Sequence, residues 1–164
     1  MQRVATKCLC LFGILEKRPG EDLVKQLRLS FIGPAPVSVM ASKALIDLVT
    51  WHGPDEVDKA IGLGVHNSNG DEINRFVPVN LSDSKDDLSV RVLDLLYSGL
   101  NREDCDATVE PDDKESVRSI LGEGFAKILL LSENYPSIYS CLHPWILCKL
   151  VSLYFSDEAN DLQR

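Results

Sequence analysis

Two six-residue segments 36 positions apart repeat the same order of residue classes. Residues 4–9 read VATKCL and residues 40–45 read MASKAL: an apolar residue, alanine, a small hydroxyl residue, lysine, a small apolar residue and leucine. A spacing near this value is typical of stacked helical hairpins, in which each repeat buries an apolar face that it cannot bury alone. The repetition therefore predicts an α-solenoid, a fold that mostly binds other macromolecules and rarely performs chemistry.

Apolar periodicity predicts helices over most of the chain. The expected helices lie at 3–16, 21–31, 37–51, 87–100, 112–131 and 137–155, with further turns at 55–61 and another helix opening at residue 157. Pro144 either kinks its segment or starts a second helix at its first turn. Strand alternation is confined to 76–81, where Pro78 disfavours a strand. The order predicts an all-α protein, two to three stacked hairpins in one domain over 1–164.

Two polar segments interrupt this pattern. Residues 62–86 are rich in glycine, asparagine, serine and aspartate, and such an insertion is long for a compact domain, so we expect a mobile or binding loop. A second, acidic loop is expected at about 102–113. It lacks the ligand spacing and glycine of a calcium loop, so it is either a solvated loop or a docking surface for a basic partner. The acidic run comprises Glu103, Asp104, Asp106, Glu110, Asp112, Asp113 and Glu115.

Charge is unevenly distributed along the chain. The net charge is −8, but residues 1–28 hold six basic and three acidic residues, so the remainder carries −11. The overall charge argues against simple binding to nucleic acid or an anionic membrane. Four basic residues nevertheless cluster at one hairpin, and this cluster is interpreted as a solvated face: Lys17, Arg18, Lys25 and Arg28.

Nothing in the sequence predicts catalysis, a metal or a cofactor. The five cysteines are odd in number and without a framework spacing, which indicates a reducing compartment. The spacing of Cys141, His143 and Cys148 fits no zinc pattern, and the glycines of 61–66 lack the strand and Lys-Ser/Thr of a phosphate loop. A small helical enzyme is therefore the least favoured class, and no small-molecule substrate is expected.

No membrane segment is predicted either. No apolar run approaches the 18 residues that would span a bilayer. The apolar run 8–15 has the length of a signal-peptide core, but charged residues follow at once without a small-x-small cleavage site, so it is interpreted as a buried helix.

Several motifs carry a family resemblance. Residues 113–118 (DKESVR) resemble the Asp…Val-Arg signature that opens the second helix of a HEAT repeat. Residues 117–129 are similar to an Ile/Val-Arg…Glu-Gly-Leu-Ala-Lys-Leu helix of the condensin subunit 3 family, the CAP-G type of HEAT subunit. Residues 147–155 are similar to its aromatic-rich helix ending, and 5–13 and 43–48 to two earlier helices. The matches occur in the family's order and cover about 1–60 and 86–164.

This resemblance implies a HEAT/armadillo-like α-α superhelix from the C-terminal half of such a subunit. It implies a non-catalytic scaffold that binds the condensin kleisin subunit, other condensin subunits and DNA. For the basic cluster, the resemblance implies contact with DNA phosphates as the alternative to a solvated face. Four phosphate contacts would give a salt slope of about −3.6, and the acidic remainder of the chain predicts weak affinity. The scaffold would support mitotic chromosome condensation in the nucleus and on chromosomes, with a cytoplasmic pool. The alternative is another armadillo-like adaptor that binds an extended peptide, and the identity of the partner discriminates between the two.

The chain departs from the family pattern in two respects. Val39 is followed by Met40, so the Val-Arg pair is missing from that repeat. The chain is also much shorter than a condensin subunit, and we interpret it as a fragment. Its end repeats are expected to expose apolar faces and to favour self-association.

Overall fold

The computed structural model describes residues 2–63, 90–101, 111–134 and 142–161, and every regular element in these ranges is helical. The all-α prediction is confirmed. The helices are α1 (Gln2–Leu15), α2 (Glu21–Ile32), α3 (Ala35–His52), α4 (Pro54–Ala60), α5 (Val92–Leu100), α6 (Pro111–Leu131) and α7 (His143–Asp161), with a short 3₁₀ turn at Ser132–Asn134. None of these helices is long and apolar enough to cross a membrane.

Helices α2 and α3 form a hairpin with a very short connection. Glu21 and Asp22 occupy the first turn of α2, where acidic residues favour the helix dipole. The predicted break at 33–36 is shorter than expected, because α3 already begins at Ala35. Pro36 is accommodated in the first turn of α3, where the N–H that proline lacks would have no intrahelical acceptor.

Helices α1 and α3 run parallel and side by side. The thiol of Cys10 donates to the carbonyl oxygen of Ala44 at 3.8 Å. Three residues further along α1, Gly13 lies against the side chain of Leu48. Because both chains advance in the same direction between these contacts, the helices are parallel. The repeated segments 4–9 and 40–45 therefore occupy neighbouring positions in successive helices, which explains the repetition in the sequence.

Helix α6 continues this layer on the opposite face of α3. Lys43 interacts electrostatically with Glu123, and Asp47 with Lys127, four residues further along each helix. These pairs show that α3 and α6 are also parallel. The layer α1–α3–α6 thus consists of three parallel helices, with α3 in the centre.

Three further helices pack against this layer: α2, α4 and α5. Helix α2 packs on α3, α5 packs on α6, and α4 contacts both α3 and α5. Gly99 of α5 lies between the side chains of Phe31 and Leu121, so three helices meet without room for a larger residue. The hairpins α2–α3 and α5–α6, with α1 packed on α3, are consistent with a HEAT-like helical array.

The C-terminal helix differs from its prediction. Pro144 is the second residue of α7, so it starts this helix and does not kink it. The prediction of another helix opening at residue 157 is wrong, because α7 continues through Asp161. Leu142 and Ile146 are buried in the common core, and Leu150 approaches Gly122 of α6.

The two interrupting segments lie largely outside the described residues. Helix α4 ends at Ala60 and a turn follows through Gly62 with φ 82°, but residues 64–86 of the predicted insertion are not described. Helix α5 begins at Val92, five residues later than predicted. The structure describes none of 102–110, and positions 111–113, counted with the acidic loop, form the first turn of α6.

Candidate interaction surfaces

The predicted basic cluster divides into exposed and buried members. Lys17 and Arg18 are exposed in the turn after α1, and Lys25 lies at the surface of α2. Arg18 Nε is 4.0 Å from a carboxylate oxygen of Glu56, and Lys25 pairs with Glu21 within its own helix. Two of the three surface cations are thus already beside carboxylates, which lowers the positive potential that phosphates would meet.

Arg28 does not share this surface. Only 3% of the residue is exposed, and its guanidinium donates a hydrogen bond to the carbonyl oxygen of Val90. Arg28 therefore does not belong to one exposed patch with the three other cations. Arg28 lies four residues after Val24 and three before Phe31, on the buried stripe of α2, and this spacing is the signal that could have identified it.

Arg28 belongs to a polar node that joins α2, α4 and the start of α5. The Asp58 carboxylate accepts a hydrogen bond of 2.8 Å from the backbone N–H of Val92, the first residue of α5. Arg91 Nε lies 3.7 Å from the other carboxylate oxygen. The late start of α5 follows from this arrangement, because Val90 and Arg91 lie in the connection that Arg28 and Asp58 hold in place.

Burial dominates the electrostatics of this node. It raises the pKa of the Asp58 carboxyl group from 3.8 to about 6, although the Val92 N–H, Arg91 and Arg28 all favour the charged form. The node lies between packed helices, and its polar groups interact with one another. Its arrangement indicates a structural role in holding α5 against α4.

Helix α1 exposes an apolar stripe on the face away from α3. We define the α1 stripe as Val4, Leu11, Phe12 and Leu15, all of which are more than half exposed. The spacing of four, seven and eight residues between them places these side chains along one side of the helix. The opposite side of α1, with Thr6 and Cys10, is buried.

Helix α7 exposes a second apolar stripe on the face away from α6. We define the α7 stripe as Leu147, Val151, Tyr154 and Phe155, again all more than half exposed. The rings of Tyr154 and Phe155 make an edge-to-face contact with centroids 5.5 Å apart. Contiguous exposed apolar surface of this kind is typical of an interaction site.

The cysteine and histidine residues considered for a metal site do not come together where they are described. His143 and Cys148 both lie in α7, while Cys141 is outside the described residues. Cys10 is buried, and burial followed by the charge of Asp47 raises its pKa to about 11. In the part of the chain that the structure describes, no three metal-ligating side chains come together.

Comparison with known protein families supplies the decisive observation. Residues 1–164 match the Cnd3 family, described as "Nuclear condensing complex subunits, C-term domain". The chain belongs to this family of condensin subunits. No curated protein and no solved structure matches the chain.

Membership of the Cnd3 family confirms the resemblance seen in the sequence. It also distinguishes between the two classes of helical scaffold that the sequence left open, because the match covers the whole chain. The family description places these subunits in the nucleus. For a condensin subunit built as a helical array, the relevant surfaces are those that can contact other subunits.

Proposed function

We propose that this chain is a non-catalytic scaffold within a condensin regulatory subunit, and that its helices hold the kleisin subunit of the complex. The observation that carries the proposal is the family match over residues 1–164. The parallel layer α1–α3–α6 and its covering helices offer the continuous surfaces that solenoid proteins use to bind extended partners. In this role the chain supports mitotic chromosome condensation in the nucleus, with a cytoplasmic pool.

DNA contact is a subsidiary part of the proposal. Lys17, Arg18 and Lys25 are the members of the predicted cluster that remain at the surface. Glu21 and Glu56 lie beside two of them, so the local positive charge is small. We therefore propose weak DNA binding by this chain, with the kleisin as its principal partner.

Co-expression with the condensin kleisin tests the principal part. An affinity-tagged chain should capture the kleisin, and capture should persist at high salt because apolar burial is not screened by ions. A kleisin from a different complex is the matched control and should not be captured. Failure to capture by protein that circular dichroism shows to be helical, or capture at low salt only, would contradict the proposed scaffold role.

A further inference from the structure

The exposed sides of α3 and α6 adjoin within the array. Lys43, Asp47 and Trp51 follow one another at four-residue intervals on α3, and all three are exposed. This spacing places them on one side of the helix, with Trp51 about 6 Å beyond Asp47 along the axis. Because Lys43 interacts electrostatically with Glu123, and Asp47 with Lys127, this side of α3 borders α6.

The C-terminal end of this shared surface is apolar. Trp51 is 65% exposed and Leu130 is 82% exposed. Since α3 and α6 are parallel and Lys127 lies beside Asp47, Leu130 lies at about the level of Trp51. Both helices are preceded and followed by other helices of the chain. We define the α3–α6 face by its six exposed residues, which are Lys43, Asp47, Trp51, Glu123, Lys127 and Leu130.

The Asp47 carboxylate on this face is accessible but incompletely neutralised. Partial burial raises its pKa, although Lys127 and Lys43 both favour the charged form. Lys127 Nζ lies 2.7 Å from a carboxylate oxygen of Glu123, in an ion pair within α6. Among the ion pairs between residues that the structure describes, none includes Asp47. A cation from a partner would therefore stabilise this carboxylate by direct contact.

The ends of the two helices add negative potential beside Trp51. The C-terminal end of a helix carries partial negative charge, and the parallel helices α3 and α6 present these ends on the same side. Neither last turn contains lysine or arginine, and His52 Nε2 is hydrogen-bonded to the carbonyl oxygen of Gly13 at 2.8 Å. Glu133 is exposed just after α6. The face is thus electronegative where it is also apolar.

An arginine side chain fits this combination of features. Its planar guanidinium can stack on an indole ring, and its N–H groups can donate to a carboxylate. Trp51 and Asp47 are one helical turn apart, so one arginine can reach both. An apolar residue beside that arginine would cover Leu130. The same charges repel phosphates, which disfavours nucleic acid as the occupant.

From these observations we infer that the α3–α6 face binds an extended segment of a protein partner through an arginine that stacks on Trp51 and pairs with Asp47. The inference deepens the proposed scaffold role and rests on it, since the segment would belong to the protein that the scaffold holds. Extended segments are the usual ligands of surfaces formed by successive helices of a solenoid.

An NMR titration of the ¹⁵N-labelled chain tests the site directly. The probe is the peptide acetyl-Gly-Leu-Arg-Leu-Gly-amide, and the matched control peptide carries neutral citrulline in place of arginine. The indole N–H resonance of Trp51 is assigned by its loss in Trp51→Phe, and that of Trp145, 48% exposed on α7, is the internal control. The arginine peptide should shift the Trp51 resonance selectively, and the citrulline peptide should bind at least about five-fold more weakly.

A substitution at Asp47 separates the ion pair from the stacking contact. Asp47→Asn should raise the Kd for the arginine peptide by about two- to five-fold and leave that for the citrulline peptide unchanged. Asp22→Asn, at an exposed position on α2, is the control and should change neither. Equal shifts of the two indole resonances, equal binding of the two peptides, or wild-type binding by Asp47→Asn would overturn the inference.

Failure of this site is distinguishable from failure of the scaffold role. Kleisin capture by a chain whose Trp51 resonance does not respond to the arginine peptide would overturn the site and leave the scaffold role in place. Selective binding of the arginine peptide without kleisin capture would support the site and contradict the kleisin as the partner.

Discussion

Ile46 of α3 packs directly against the backbone of Gly124 in α6, and its side chain occupies the space that a Cβ at position 124 would need. Both residues are buried where α3 meets α6. The absence of a side chain at this position therefore sets how closely α3 and α6 approach.

Gly124→Ala should destabilise the chain. The added methyl group would overlap the ethyl branch of Ile46, and overpacking of this kind costs about 1–3 kcal/mol. The intrinsic helix preference of alanine offsets about 1 kcal/mol of that cost. Urea unfolding followed by circular dichroism should therefore show a net loss of up to about 2 kcal/mol in the free energy of unfolding.

Gly122→Ala in the same helix is the matched control. A Cβ there would meet Leu150 at 3.8 Å, an ordinary contact. The control should gain up to about 1 kcal/mol, because alanine restricts the unfolded chain and favours helix. Equal effects of the two substitutions would show that the close approach at Gly124 does not determine stability.

Asp58→Asn should change how stability depends on pH. The folded state binds the Asp58 proton more tightly than the unfolded chain does, since the folded pKa is about 6 against an ordinary 3.8. Stability from this group is therefore fully present below pH 3.8 and is lost as pH rises towards 6 and above. The difference corresponds to about 3 kcal/mol.

The asparagine keeps an oxygen that can accept the Val92 N–H but cannot ionise. Relative to wild type, Asp58→Asn should be more stable at pH above about 7 than at pH about 4, by up to about 3 kcal/mol. Urea unfolding of both proteins at the two pH values measures this difference. The same relative stability at both values would contradict the burial of an ionisable carboxyl group in the node.

Arg28→Ala should destabilise the fold much more than removal of a surface cation. The substitution removes a charged donor from the carbonyl of Val90, an interaction of about 1.5–3 kcal/mol. Lys25→Ala removes only a surface pair within one helix turn, worth less than about 1 kcal/mol. Thermal and urea unfolding should therefore show a larger loss of stability for Arg28→Ala than for Lys25→Ala. Equal losses of stability would contradict the burial of Arg28 in the core.

The salt dependence of DNA binding should reflect at most three phosphate contacts. Lys17, Arg18 and Lys25 predict a slope of log K against log salt of about −2.7, and Lys17→Ala with Arg18→Ala should reduce its magnitude to about 0.9. Fluorescence anisotropy of a labelled DNA duplex measures the slope for the wild type and for the double variant. Lys127→Ala, an exposed lysine on α6, is the control and should leave the slope unchanged. A slope unaffected by the double substitution would locate DNA binding elsewhere.

Cys8 should react with iodoacetamide well before Cys10 in the folded chain. Cys8 is exposed, whereas burial raises the pKa of Cys10 to about 11. Relative to the ordinary value of 9.0, this lowers the thiolate fraction at neutral pH by about 100-fold. Tandem mass spectrometry after brief labelling distinguishes the two sites. Unfolding in urea should remove the protection, and comparable labelling of both in the folded state would contradict the burial of Cys10.

The helices could be predicted from the sequence because their apolar residues recur at helical spacing. The repetition between residues 4–9 and 40–45 also indicated which helices are neighbours, since equivalent positions of successive repeats carry equivalent contacts. The sequence signals that predict where a helix begins or ends were weaker. Pro36 suggested a break, yet a proline in the first turn of α3 is compatible with a helix.

The polar node could not be predicted in the same way. Arg28 contacts Val90, 62 residues away, and Asp58 contacts Val92 across a separation of 34 residues. The spacing along α2 indicates that Arg28 is buried, but nothing in the neighbouring sequence identifies Val90 or Val92 as the partners of this node. The close approach at Gly124 is equally tertiary, because only the position of Ile46 in the folded chain shows why that glycine is needed.

The central position of α3 has a mechanical consequence. Since α1 and α6 contact opposite faces of α3, a force that separates these two outer helices acts on both the α1–α3 interface and the α3–α6 interface. Each interface can deform by a small rotation of one helix over its neighbour. When the layer bends, the strain is therefore divided between the two interfaces. The less tightly packed of the two interfaces would then determine how far the array bends under a given force.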